Sequence, residues 1–287
     1  MKNFIIKSYC KINLSLRVLN KLKNGYHNIV SIITFSKLHD LISIAEIKNS
    51  RDRISFSGRF SKGIDKKINT VTKILNLLRQ NKFIKDQVFK INIQKNIPHG
   101  SGLGGGSANA ADLLNFFNYK MKLNLSKKKL EKLARKIGFD VPINLERKNT
   151  FLNGEKNRII RLNQKFKLNL LIVYPNLICS TKKIYKKNRI KNSIKPQSSF
   201  YAKDKVKLIN FLKNEHNDLE KAVFKIHPKI KKIIDYIEGQ KGCYFSRITG
   251  SGSACIGIFS NMKNAIYTKK LIKVKYPKYW CAVSKTM

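Results

Sequence analysis

Residues 97–114 read IPHGSGLGGGSANAADLL, with five glycines between Gly100 and Gly106 followed by small residues and an apolar run. Glycine loses more backbone entropy on folding than any other residue, so such a cluster needs positive φ at several positions or a close approach of main chain to something bulky. The segment reads as a strand ending at Pro98, a glycine-lined loop, and a helix starting near Ser107. Consecutive backbone N–H groups in such a loop converge on one anion, and the helix N-terminus adds partial positive charge. A tight structural turn with close helix packing is the plainer reading, and five glycines in seven residues weigh against it. A Walker loop would need lysine where Gly106 stands. The dinucleotide pattern G-x-G-x-x-G fits Gly100, Gly102 and Gly105, but it lies far inside the chain and no acid follows at the proper distance. The strand signatures of a protein-kinase glycine loop are missing.

Outward from the loop, the chain of 287 residues reads as α+β in two halves divided near residue 156, namely 1–156 and 157–287. Residues 4–19 alternate: Cys10, Ile12, Leu14, Leu16 and Val18 share one face and Lys11, Asn13, Ser15 and Arg17 the other, which predicts a strand with one buried face. Asn24-Gly25 signals a turn, and 28–47 and 51–58 read as further strands. Helical spacing predicts a helix over 69–80, and VFKINIQKN at 88–96 a strand. Ser126 caps a helix closing at Gly138. Later come strands around Asn153-Gly154 and at 168–176, a polar Lys-rich connection over 182–200, and helices near 203–213, 217–225 and 228–238. Two strands flanking a Gly-Ser turn, then a last helix and strand, complete the chain.

Composition bounds the function classes. No run of roughly 18 uncharged apolar residues exists, so no membrane span is expected, nor is a secretory leader. Five scattered cysteines without C-x-x-C spacing fit free thiols in a reducing cytoplasm. The net charge of +44 is spread from end to end in a chain rich in Lys, Asn and Ile, all with A/T-rich codons. Compositional drift explains it better than a dedicated RNA-binding function, which would gather the charge into a basic stripe interleaved with aromatics.

Four segments resemble the GHMP small-molecule kinases, in the right order along nearly the whole chain. PHGSGLGGGSANAA resembles the second motif of that family, P-x-x-x-G-L-G-x-S-S/A; CKINLSLRVLNKLKNGYHNI resembles the opening A-K-I-N-L-x-L-x-V with D-G-Y-H; GFDVPINL resembles G-A-D-V-P; RITGSGSACIGIF resembles the third motif. NTVTKIL and NDLEKAV fit weaker patterns. GYH together with GLGGGS resembles the branch that phosphorylates the 2-hydroxyl of cytidine diphosphate-linked methylerythritol in the non-mevalonate isoprenoid route. The departures are Cys10 and Phe139 for Ala, Asn24 for Asp, Thr249 for Ser, Ala108 for a frequent Ser, and Asn109 where many members carry Asp.

The resemblance implies a ribosomal protein S5 domain 2-like N-terminal half and a ferredoxin-like C-terminal half. It implies ATP as phosphate donor with Mg2+, whose ligands it leaves open, with Ser107 a candidate for phosphate or Mg2+ contact. Pro98, His99, Gly100, Ser101, Gly102, Leu103, Gly104, Gly105, Gly106, Ser107 and Ala108 would line the ATP phosphates, with Asn69 near the adenine and the turn Gly250–Gly252 backing the site. Asp140 would be the general base, against its plainer reading as a cap ahead of Pro142. Lys11, one cation among 60 Lys and Arg, would offset charge on the transferring phosphoryl group. Asn13, two residues on along the same strand face, would meet substrate hydroxyls. Tyr26 and His27 would hold the cytosine, with Tyr185 on its other ring face. Another alcohol within the same kinase family is the nearer alternative to this substrate, and an RNA-binding module the more distant one.

Overall fold

The computed structural model describes the chain apart from residues 1–2, 23–24, 26, 66, 155–157, 189–201 and 203. Tyr26 and the Asn24 turn position therefore lie outside the described residues. The chain divides into two compact units that interleave along the sequence: residues 1–10, 38–99 and 104–146 form the first, and 11–37, 100–103 and 147–287 the second. This partition by contacts is a different one from the division by chain position at residue 156.

The first unit is built on β4 (Arg53–Ser57), β5 (Val88–Gln94) and the second half of the 21-residue β3 (His27–Ile47). β4 runs parallel to β5, and β5 pairs antiparallel with β3 from Leu41↔Gln94 to Ile47↔Val88. Ile42, Ile44, Phe89, Ile91 and Ile93 alternate onto one face, as period-two strands must. Three helices supply the other side of that core. From α1 (Thr70–Gln80) come Val71, Ile74, Leu75 and Leu78; from α2 (Gly105–Lys120), Ala110, Leu113, Leu114 and Phe117; from α3 (Lys127–Ile137), Leu130, Ala134 and Ile137. Each helix begins where local chemistry directs. Asn69 caps α1 in a reciprocal capping box with Thr72, and Ser126 caps α3.

The second unit carries β2 (Arg17–Lys21), β6 (Thr150–Asn153) and β7 (Arg158–Arg161) around the first half of β3. Its other sheet joins β8 (Asn169–Tyr174), β9 (Cys243–Ile248), β10 (Cys255–Phe259) and β11 (Trp280–Lys285) in the order β11-β8-β10-β9, all antiparallel. Counted within the sheet this is fourth, first, third, second, the order of a ferredoxin-like layer. α8 (Pro228–Glu238) packs on β9 and β10, and α9 (Met262–Lys275) on β8 and β11. Among the described residues, no helix is long and apolar enough to cross a membrane.

Four expectations about local structure change. The strand expected over 4–19 is two, β1 (Asn3–Asn13) and β2, and from Cys10 to Leu16 every residue is buried, on both faces. The polar face is covered by polar partners rather than by water. The strand ahead of the glycine loop ends at Gln94, not Pro98, because the Asp40 carboxylate takes the amides of Asn96 (2.7 Å) and Ile97 (2.9 Å) that a strand partner would otherwise take. The following helix starts at Gly105, two residues before Ser107, since Gly104 at φ +69° supplies the left-handed entry. The start of the Lys-rich 182–200 connection also lies in a helix, α5 (Thr181–Lys187).

Asp40 is wholly buried and ion-paired with Lys95, itself buried; Lys95 Nζ also donates to Asn109 Oδ1 at 2.8 Å, and Asn109 Nδ2 donates to Ser8 Oγ at 3.0 Å and to Asp40 Oδ2 at 3.1 Å. Removing one partner of a buried pair strands the other charge without compensation. Lys95→Met is expected to lower unfolding stability by about 3–5 kcal/mol, measured by chemical denaturation.

Candidate active site

In the second unit, the first part of the glycine loop is held by its carbonyls. Cys179 N donates to Gly100 O (3.1 Å), Ala254 N to Ser101 O (2.9 Å) and Lys11 N to Leu103 O (3.1 Å). In a trans peptide C=O and N–H point in opposite directions. Pinning the carbonyls of Gly100 and Ser101 therefore turns the amides of Ser101 and Gly102 away from those partners. Gly102 has φ +83°, and a Cβ there would lie 2.0 Å from Thr249 O and 3.1 Å from Gly252 N, so only glycine allows the loop to lie against the 249–252 turn.

The same turn meets the strand carrying Lys11. Asn13 N donates to Thr249 Oγ1 at 2.8 Å, and a Cβ on Gly250 (φ +57°) would sit 3.2 Å from Lys11 Nζ. Thr249, where the family pattern has Ser, keeps the hydroxyl this bond needs. Lys11 and Asn13 are both nearly inaccessible to water. The Lys11 ammonium donates to Asn13 Oδ1, and Asn13 Nδ2 donates to Ser31 Oγ at 2.8 Å. Asn13 is thus tied to Lys11 as well as standing beside it on the strand.

Also in this unit, His27 stacks on Tyr185 with ring centroids 4.8 Å apart. Burial, with the charge of Lys21 added, pushes the His27 imidazole below its ordinary range. A neutral imidazole offers one donor and one acceptor nitrogen.

The first unit holds the rest of the loop. α2 opens with Gly105, Gly106 and Ser107, whose N–H groups precede the first helical bond, Ala108 N to Gly104 O at 2.9 Å. Its first turn carries no acid, so the positive end of the helix is uncompensated from within. Lys95 Nζ lies 3.4 Å from where a Gly105 Cβ would be. Asn109, standing where relatives of the motif carry Asp, is buried and committed to Lys95, Asp40 and Ser8. Ser107, partly exposed in the first turn, is a better candidate for a cation carried by phosphates. Among the described residues, no group of three His, Cys, Asp or Glu side chains could hold a metal ion.

Asp140 is half-buried and immediately precedes α4 (Val141–Asn144); its side chain makes no cap hydrogen bond to that helix, while Asn144 Nδ2 grips its carbonyl at 2.7 Å. The capping role open to it on sequence is not the one it takes. Asn69, expected near the adenine, is the N-cap of α1 with its Oδ1 receiving Val71 N and Thr72 N. Pro98 is buried and His99 partly so. The periodicity singles out neither Asp40 nor Lys95, though an acid inside the apolar stretch HDLISI is a signal in a chain with only 16 acids.

Two family descriptions match the chain: GHMP kinases N terminal domain over residues 69–145 and GHMP kinases C terminal over 198–269. The chain is also 40% identical, over 289 aligned residues and 100% of both chains, to the 4-diphosphocytidyl-2-C-methyl-D-erythritol kinase of Pelagibacter ubique (strain HTCC1062). The chain belongs to this family of GHMP kinases. A kinase of the same name from Wolbachia pipientis wMel is 32% identical over 98% of this kinase and 97% of its own length. Among solved structures, a 4-(cytidine 5'-diphospho)-2C-methyl-D-erythritol kinase superposes with TM-score 0.74 at 23% identity, covering 98% of this chain and 99% of its own. Homoserine kinase from Cytophaga hutchinsonii superposes equally, TM-score 0.74 at 16% identity, covering 100% and 95%. The fold is therefore shared across alcohols, and the sequence identity carries the finer family assignment. The protein is an ATP-dependent small-molecule kinase.

Glu220, at the start of α7 (Glu220–Ile226), accepts Ile248 N at 2.9 Å ahead of the 249–252 turn. Burial pushes its carboxyl up to about 7, with Glu238 adding to the rise and the Ile248 amide and Arg247 opposing it. A raised folded-state value means that the unfolded chain releases this proton near pH 4.5 while the folded chain holds it to about 7, so stability falls as pH rises through that window. Glu220→Gln is expected to flatten the decline, read as Tm against pH from about 4.5 to 7.

Proposed function

We propose that the chain transfers the γ-phosphate of ATP to the 2-hydroxyl of 4-diphosphocytidyl-2-C-methyl-D-erythritol. The observation that carries the reading is the glycine loop pinned by its carbonyls to the strand of Lys11 and to the turn after Thr249. Such a loop offers amides to phosphate oxygens without reorganising, the electrostatic arrangement that phosphoryl transfer needs. The full-length likeness to kinases named for this alcohol supports the substrate.

In this reading Gly100–Ala108 bind the ATP phosphates, and the opening turn of α2 supplies its uncompensated positive end. Lys11 offsets charge on the phosphoryl group in transfer. Asp140, whose carboxylate makes no cap bond to α4, takes the proton of the attacking hydroxyl. Asn13 orients substrate hydroxyls, and Tyr26, His27 and Tyr185 receive the cytosine. Asn69 stands near the adenine. Mg2+ enters with ATP as part of the substrate, with Ser107 as the side chain offered to it. The buried thiols of Cys10, Cys179, Cys255 and Cys281 fit a reducing cytoplasm.

Asp140→Asn is expected to lower kcat by about 10²–10⁴-fold with ATP affinity retained, measured by steady-state kinetics and ATP titration; unchanged kcat removes the general-base role. Tyr26→Ala is expected to raise KM for the nucleotide-bearing alcohol far more than KM for ATP, and equal effects would mean that the cytosine lies elsewhere. Wild-type protein that phosphorylates a different alcohol instead would reassign the substrate within the family.

A further inference from the structure

The segment 215–220, EHNDLE, joins α6 (Lys205–Asn214) to α7 and makes two sets of bonds. One set holds the chain just beyond Lys11 and Asn13. Leu16 N donates to His216 O (3.0 Å), Asp218 N to Leu16 O (2.8 Å), Val18 N to Asp218 Oδ2 (2.7 Å), and Arg17 Nε to Glu215 Oε2 (3.1 Å). The other set holds the turn. Asn217 Nδ2 donates to Ile248 O at 3.2 Å and Gly250 O at 2.8 Å, while its Oδ1 accepts Leu219 N at 3.0 Å.

Asn217 is buried, and all three bonds are internal. Its two amide protons are the donors for two carbonyls on either side of Thr249, the residue whose hydroxyl receives Asn13 N. Gly250 is also the residue whose main chain lies against the Lys11 ammonium. One amide group therefore sets the path of the main chain between the glycine loop and Lys11.

We infer that Asn217 is a positioning residue for phosphoryl transfer: by holding the carbonyls of Ile248 and Gly250 it fixes the 249–252 turn against Lys11 and the loop at Gly102. The inference rests on the kinase reading above, and Asn217 acts through the turn without touching substrate. A carboxylate at 217 keeps the acceptor for Leu219 N but replaces the one nitrogen that carries both donors by an oxygen facing two carbonyl oxygens. The turn then shifts, and a misplacement on the order of 1 Å costs about 10²-fold in rate.

The test compares wild type, Asn217→Asp and Asn217→Ser, the last keeping one donor in a smaller side chain, so that a folded variant is in hand should the first not fold. Ile233→Val, a core change on α8, reports what lost stability does by itself. Expected is a fall in kcat of about 10²-fold in Asn217→Asp and a smaller one in Asn217→Ser. KM for ATP and for the alcohol should change little, and Ile233→Val should keep wild-type kcat. Hydrogen exchange is expected to quicken in peptides covering 248–254. A lowered Tm with kcat retained in the Asn217 variants marks a merely structural residue and overturns the inference. Unchanged exchange over 248–254 overturns it whatever the alcohol proves to be. Wild type that fails to phosphorylate the diphosphocytidyl alcohol overturns the functional reading instead, and exchange then still decides the role of Asn217 in holding the turn.

Discussion

The main-chain bond from Lys11 N to Leu103 O is the constraint on which the second unit's stretch of the glycine loop depends. It joins a strand that opens the chain to the middle of the glycine loop. Ala254 N to Ser101 O then joins the loop to the turn after β9, and Asn13 N to Thr249 Oγ1 joins that turn back to the strand. Three motifs far apart in the chain become one closed circuit of hydrogen bonds. Such a circuit requires close approach of main chains, and Gly102 and Gly250 permit it because a side chain at either would collide with main chain. Main-chain donors held this way keep their direction when a ligand arrives, which is the basis of electrostatic preorganisation.

The chain is so basic that its few acids are informative. Asp40 is spent inside the first unit on Lys95 and on two amides; Asp52 takes Arg79 at 2.7 Å and the amide of Phe89 at 2.9 Å; Glu220 takes the amide of Ile248. Each fixes a place where one element ends or meets the next. Asp140 makes no side-chain cap bond to α4, and its carbonyl is held by Asn144 Nδ2. Five lysines lie on α9 alone, where Ile266, Tyr267 and Val274 are exposed beside them, and Lys273 Nζ there donates to the carbonyls of Pro277 and Tyr279.

Much of the fold was legible because its signals are local. The caps at Asn69 and Ser126 stand where side-chain oxygens can reach the first helical amides, and the helices over 70–80, 127–137 and 228–238 follow the spacing of their apolar residues. The strand expected over 4–19 differs in the structure for a physical reason. Alternation shows that two faces differ, but it does not say whether the polar face meets water or other polar groups. Likewise the end of β5 is set by the carboxylate of Asp40, more than fifty residues away, and no property of residues 88–98 announces it.

The sequence by itself pointed to the kinase family and made 100–108, Lys11 and Asp140 candidates for its site. These follow from residue types in short, ordered motifs whose chemistry belongs to the backbone and to single side chains. Only the tertiary structure decided which of 60 cations are buried, that Lys11 and Lys95 are among them, and that Asn109 and Asn217 serve internal networks. Burial and hydrogen-bond partnership depend on what packs against a residue, and for these residues the partners come from distant parts of the chain.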